Sequence, residues 1–174
     1  MSIILNMKEK KPLRGIVPLA LGLFAGIFIK FFIVDILIIR GTSMEPVIKD
    51  GSTIIVNKLA YGIAKPFGST LMCSWNKPRE NEIIVFLHKG NLVVKRCAAV
   101  ENTLLEYSTE YGYTLKVKDK EYPLTEIQYN LLRESSFVPE GTVLAIGDNT
   151  GNSIDSRTYG FVPQSNILGR VINK

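Results

Sequence analysis

Residues 16–39 are apolar almost without a break, interrupted by Lys30 and Asp35. From Ile16 to Val34, a helix at 1.5 Å per residue would span roughly 28 Å, about the thickness of a bilayer's hydrocarbon core. Pro18 falls in its first turn, where a missing N–H costs little. Lys30 lies near the far end, where its stem can carry the ammonium to headgroup level. Beyond this stretch the pattern changes to short aliphatic runs divided by turn residues. Strands are predicted over 35–40, 53–57, 82–88, 91–100, 113–118, 142–147 and 166–172. Lys89-Gly90, between EIIVFLH and NLVVKRCAAV, is a hairpin signal. A short helix is expected within 124–134, with Thr125 as its cap. Residues 59–80 hold Gly, Pro, Trp and Lys without a period and read as an irregular excursion. The fold class is therefore mainly β, with short, largely antiparallel strands after one N-terminal transmembrane helix.

Charge sharpens this division. The net charge is +5, yet most of the excess sits at Lys8, Lys10, Lys11, Arg14, Lys30 and Arg40. The remainder is nearly neutral and has no long basic run, which argues against nucleic acid as a partner. Basic residues before the span favour a cytoplasmic N-terminus and a body outside the cytoplasm. The expected organisation is a cytoplasmic basic segment at 1–14, a transmembrane anchor at 15–34 and an extracytoplasmic domain at 35–174. Two other readings of the apolar stretch are a cleaved signal peptide and a buried helix of a soluble domain. No small-residue cleavage site comes after it, against the first. Cys73 and Cys97 are expected to be free thiols, since two cysteines make no disulfide framework.

Residue types limit the chemistry. His88 is the sole histidine, so a Ser-His-Asp site would have to use it, yet it sits where a strand meets a turn. The carboxylates and one histidine form no zinc-like cluster, and Asp148, Asn149 and Asp155 do not match the EF-hand spacing. No phosphate-binding glycine motif is present. A lysine base for a serine nucleophile remains. Alternation puts Val93, Lys95 and Cys97 on one face and Val94, Arg96 and Ala98 on the other. Periodicity alone does not say which cation is buried. Arginine would stay charged, whereas lysine can yield its proton. At an ordinary pKa of about 10.4, roughly one lysine in 2,500 is neutral at pH 7. Lowering that pKa to the 7–8 of a working base costs about 3 to 4 kcal/mol, which dehydration could supply and a neighbouring carboxylate would oppose. No acidic side chain is therefore expected to pair directly with Lys95. By spacing alone Lys95 reads as a strand lysine reaching to water, and Ser43 as an ordinary turn serine.

Four stretches narrow these options. They are Gly41-Thr42-Ser43-Met44-Glu45-Pro46, the EIIVF strand at 82–86, Val93-Val94-Lys95-Arg96, and Gly147-Asp148-Asn149-Thr150-Gly151-Asn152-Ser153-Ile154-Asp155-Ser156-Arg157. In this order they resemble the type I signal peptidase family. The resemblance implies a signal-peptidase-like β fold and a serine endopeptidase of the cell membrane. It implies Ser43 as nucleophile, Lys95 as general base and Ser153 as the hydroxyl that orients the lysine amine. Asp148, Asp155 and Arg157 would brace the loop presenting Ser153, and Met44 would pack near the base. No metal or other cofactor is implied. The partners implied are secretory preproteins with cleavable signal peptides and the lipid bilayer.

The sequence also departs from the family. Gly41 stands where some members have a serine that donates a second oxyanion hydrogen bond. Val100-Glu101-Asn102 replaces a common Pro-Gly-Asp, so the turn after the base strand is expected to differ. Thr150 replaces a common arginine. Residues 103–137 are short, so a minimal catalytic core without a large accessory domain is expected. A related Ser/Lys autoprotease would need a DNA-binding domain in place of the anchor. A non-catalytic relative would have little reason to keep Ser43, Lys95 and Ser153 together.

Overall fold

The computed structural model describes residues 13–65, 68 and 70–173. The basic segment expected over 1–14 lies outside these residues, apart from the backbone of its last two. Helix α1 (Leu13–Phe28) runs into one π-helical turn at Ile29–Ile33. The stretch Ile16–Ile33 is long and apolar enough to cross a membrane, and none of it is buried against the rest of the chain. An apolar helix left bare in this way fails the reading of a buried helix in a soluble domain.

Strand β1 (Val34–Ile38) continues from it without a loop. The β-branched run that ends the apolar stretch thus passes directly into a sheet. The remaining strands are β2 (Thr53–Asn57), β3 (Gly62–Ala64), β4 (Leu71–Ser74), β5 (Ile83–His88), β6 (Asn91–Val100), β7 (Glu106–Ser108), β8 (Thr114–Val117), β9 (Lys120–Pro123), β10 (Thr142–Ile146), β11 (Val162–Pro163) and β12 (Ile167–Val171). Seven form one sheet in the order β1-β2-β12-β5-β6-β10-β11. Every paired strand in it is antiparallel. Lys89 and Gly90 close the β5–β6 hairpin with φ of 49° and 79°, the left-handed pair that a two-residue turn requires.

The body is mainly β, as expected, but residues 59–80 are not the irregular excursion that their composition suggests. They contain the β3–β4 hairpin, with Gly62 opposite Ser74 and Ile63 opposite Cys73. Strands of three and four residues are too short to show alternation. Strands β7–β9 form a second small sheet. Together with α2 (Glu126–Leu132) it closes an apolar cluster around Leu105, Leu115, Leu132, Val138 and Leu144. Thr125 and Gln128 make a reciprocal capping box at the start of α2, which satisfies two otherwise orphaned N–H groups. The turn after β6 accommodates the missing Pro-Gly-Asp. Asn102 takes the left-handed conformation at φ 64°, which asparagine tolerates better than most residues. Glu101 ties the turn down by accepting from Lys77 Nζ and the Gly141 N–H.

Candidate active site

Ser43 is held in a tight turn just past the end of β1. Ile39 is buried, and its N–H and C=O both bond to the segment preceding β2, at Ser52 and Gly51. Gly41 has φ +98°, a conformation open to glycine and strained for residues with a Cβ. Its N–H donates to Asp50 Oδ1 at 2.7 Å. The Glu45 N–H returns to Thr42 O and the Ile48 N–H to Met44 O. Met44 is buried beneath the turn with Ile39, Ile48 and Val85. Among the described residues no acceptor takes the Ser43 N–H.

Lys95 comes from β6, opposite Ile84 of β5. The alternation that left two cations open is resolved by their surroundings. Arg96 turns toward Asp148 and is held by a two-pronged ion pair, Nε to Oδ1 at 2.6 Å and Nη2 to Oδ2 at 2.7 Å. Lys95 is the buried one, 5% exposed. Its Nζ stands 2.6 Å from Ser43 Oγ, in hydrogen-bonding contact. No carboxylate among the described residues pairs with it. Burial holds its pKa below the ordinary lysine range. Asp155 and Asp148 at longer range pull it back up, and Arg157 pushes it further down. The distance suits proton transfer in one direction or the other. A charged ammonium donates to the hydroxyl oxygen, and a neutral amine offers its lone pair to the hydroxyl proton.

The loop between β10 and α3 (Ser156–Tyr159) clips the serine turn in place. The Asn149 N–H donates to Ser43 O at 3.0 Å, Asn149 Nδ2 to Thr42 O at 3.2 Å and Asn152 Nδ2 to Thr42 Oγ1 at 2.8 Å. The loop in turn rests on a buried ion pair. Asp155 Oδ1 accepts from Arg157 Nε, and Oδ2 accepts from Arg157 Nη2 and the Gly147 N–H. Arg157 also donates to Pro123 O and Thr150 O. Thr150 thus contributes its backbone where the family's arginine would bring a charge. A Cβ on Gly147 would collide with both Ser153 Oγ and the Ser43 carbonyl. Glycine there lets the strand end approach both serines. Ser153 Oγ is buried and has no hydrogen-bond partner among the described residues. Its bond to the lysine amine is therefore not formed in this arrangement.

Ser43 and Lys95 lie in a cleft of about 900 Å³. One wall is Leu37 to Arg40, at and just past the end of β1, and another is Leu92 to Val94 of β6. Both backbones have an unused edge. Among the described residues, β1 pairs only with β2, and β10 reaches β6 only from Arg96 to Val100. The stretch Asn91–Lys95 is thus open on the side away from β5. His88 lines the same cleft, stacked on Tyr159 with ring centroids 4.1 Å apart. It makes no hydrogen bond to Ser43 among the described residues.

Of the residues singled out in the sequence, Ser43, Lys95, Met44 and Ser153 line this cleft. Asp155 and Arg157 pair with each other within its loop, and Asp148 pairs with Arg96. Asn149, Asn152 and Thr42 are not legible as individual residues in the sequence. Amides inside a polar loop carry no signal of their own until the fold brings residues 42 and 149–152 together.

The signal peptidase, peptidase S26 family model matches residues 13–173. A probable signal peptidase I-1 of Synechocystis sp. is 29% identical over 177 residues, covering 95% of this chain and 81% of that protein. A signal peptidase IB of Staphylococcus aureus is 27% identical over 180 residues, covering 94% and 88%. The crystal structure of a signal peptidase I from Enterococcus faecalis is 26% identical, with a TM-score of 0.42, and covers 57% of this chain and 100% of that one. With a match running from the apolar helix through the last strand, the chain belongs to the peptidase S26 family of signal peptidases.

Proposed function

We propose that the protein is a signal peptidase I, a serine endopeptidase in which Ser43 is the nucleophile and Lys95 the general base. The observation that carries this reading is the contact of 2.6 Å between Lys95 Nζ and Ser43 Oγ, with the lysine buried and unpaired by carboxylate. Neutral Lys95 takes the hydroxyl proton as Ser43 Oγ attacks the scissile carbonyl. The unused Ser43 N–H stabilises the developing oxyanion. The C–N bond breaks as Lys95 returns its proton to the leaving amine, leaving an acyl-enzyme. Lys95 then deprotonates a water that hydrolyses the ester. Ser153 is assigned to orienting the amine, a bond that a small side-chain movement on substrate binding would form.

The substrates proposed are secretory preproteins, cut after small residues at the first and third positions before the scissile bond. An extended segment entering between the free edge of β1 and Asn91–Lys95 of β6 could pair its backbone with both. Its side chains would then alternate between the cleft walls, where Leu37 and Val94 offer shallow apolar surface. Residues 15–34 serve as the anchor, residues 1–14 lie in the cytoplasm and residues 35–174 form the catalytic domain on the outer face. Anchoring puts the enzyme in the same bilayer as the apolar part of its substrate.

Preprotein cleavage in detergent tests the assignment. Ser43→Ala and Lys95→Ala are expected to abolish cleavage while the protein stays folded, and His88→Ala to keep it within about threefold. Undiminished cleavage in Lys95→Ala would overturn the role of Lys95, and loss confined to His88→Ala would point to a histidine base.

A further inference from the structure

Gly41 stands two residues before Ser43, and Glu45 two residues after it. One residue touches both. Asp50 Oδ1 accepts the Gly41 N–H at 2.7 Å, and the Asp50 N–H donates to Glu45 Oε1 at 3.4 Å. Asp50 does not itself line the cleft. Its backbone is fixed independently of these bonds. The Gly51 N–H donates to Ile39 O and the Ser52 N–H to Lys49 O, with Gly51 at φ +74°. The carboxylate therefore projects from a turn already tied to the end of β1. Gly41 is the loose point of the arrangement. It holds φ +98°, a conformation that glycine enters freely and leaves as freely. Packing does not confine it, because a Cβ built there would meet nothing within 4 Å. Among the described residues, its bond to Asp50 is the hydrogen bond that restrains it. A carboxylate acceptor makes such a bond roughly twice as strong as a neutral one.

We infer that Asp50 is a positioning residue for the nucleophile: by holding the Gly41 amide it fixes the left-handed turn that sets Ser43 Oγ against Lys95 Nζ. The Ser43 turn is gripped at two places. Asn149 and Asn152 hold it at Thr42 and at the Ser43 carbonyl, from the loop after β10. Asp50 holds it at Gly41, from the connection between β1 and β2. With the second grip gone, Gly41 is free to turn about the first. The contact between the two reacting groups is 2.6 Å long, so a small drift of the turn breaks it. The consequence falls on rate more than on stability. The bond lies at the surface, where water can take over as acceptor at little net cost. Water satisfies the N–H but does not fix a backbone conformation.

This inference rests on reading Ser43 as the nucleophile of a signal peptidase I, and the experiment separates the two. Preprotein cleavage by the full chain in detergent micelles is measured for the wild type, Asp50→Ala, Asp50→Asn and Gly41→Ala. A wild type that cleaves no preprotein would refute the signal peptidase reading, and the role of Asp50 with it. With an active wild type, Asp50→Ala is expected to lower kcat by about ten- to a hundredfold. KM should stay within about twofold, since Asp50 touches no substrate, and the melting temperature should hardly move. Asp50→Asn keeps an acceptor for the Gly41 N–H and should recover most of the lost rate. Gly41→Ala disfavours the left-handed turn directly. Added to Asp50→Ala it should cost clearly less than it costs alone, because both changes free the same bond rotation. Unchanged kcat in Asp50→Ala, or no recovery in Asp50→Asn, would overturn the inference while leaving Ser43 as the nucleophile. So would costs of Asp50→Ala and Gly41→Ala that simply multiply.

Discussion

Lys95 bears a cost that a neutral side chain would avoid. Its amine is buried without a counter-charge, so its pKa in the folded protein lies below the unfolded value of about 10.4. Below both values the folded state must bury an ammonium, and stability is lowest. As pH rises from the folded to the unfolded pKa, the unfolded chain still holds a proton that the folded one has released, so stability climbs. Lys95→Met keeps volume and apolar contact while removing the charge. It is expected to raise the melting temperature at pH 7, by roughly 2–4 °C per kcal/mol recovered, and to abolish cleavage. A fall in melting temperature would show that the charge is stabilised where it sits. Ser153 should behave similarly. Its buried hydroxyl lacks a protein partner among the described residues, so Ser153→Ala should leave stability unchanged or raise it by about 1 kcal/mol. Cleavage should fall, and the pH of half-maximal rate should rise, if the hydroxyl supports the neutral amine. Gly147→Ala is the harshest small change. A Cβ there strikes Ser153 and the Ser43 carbonyl together, and a displacement near 1 Å can cost about a hundredfold in rate. Lost cleavage without lost folding is the expected result in circular dichroism and activity assays.

At the level of elements, the loop 147–157 holds the Ser43 turn beside β6. Its asparagines bind the serine turn, its first residues carry Asp148 to Arg96 on β6, and Asp155 and Arg157 bind it to itself. Removing one member of that buried pair leaves the other charge without compensation. Arg157→Met is expected to cost about 3 to 5 kcal/mol, seen as a large drop in the denaturant midpoint. An unchanged midpoint would deny the pair its bracing role. Much of this architecture is legible in the sequence. The hairpin at Lys89-Gly90 shows because a turn pair separates two aliphatic runs, and α2 shows because Thr125 announces a cap. The hairpin at 62–74 and strands β7 and β9 do not, being three or four residues long and holding Gly, Glu, Lys or Pro, which are poor strand markers. Alternation along β6 defines two faces but cannot choose between Lys95 and Arg96. That choice depends on Asp148, more than fifty residues away, and on a loop whose path no local pattern describes.

The whole molecule joins a bare apolar helix to a sheet with an unpaired edge on each side of one cleft. The helix passes from Ile33 into β1 without a linker, so on the proposed function a substrate held in the same bilayer would meet the cleft close to the membrane exit. Exposed Ile36 and Ile38 on β1, 65% and 69% exposed, extend the apolar character of the anchor into the sheet. In sealed vesicles of known orientation, added protease is expected to digest the 35–174 body only from the non-cytoplasmic face. Digestion from the other face would invert the proposed topology. The central claim is that the Lys95 amine is neutral when Ser43 attacks. The pH dependence of kcat/KM for wild-type cleavage in micelles measures this most directly. The rate is expected to rise with deprotonation of one group well below the free lysine range and then to level off. A rate that keeps climbing in proportion to hydroxide beyond about pH 10, with the protein still folded, would contradict a dehydrated lysine base.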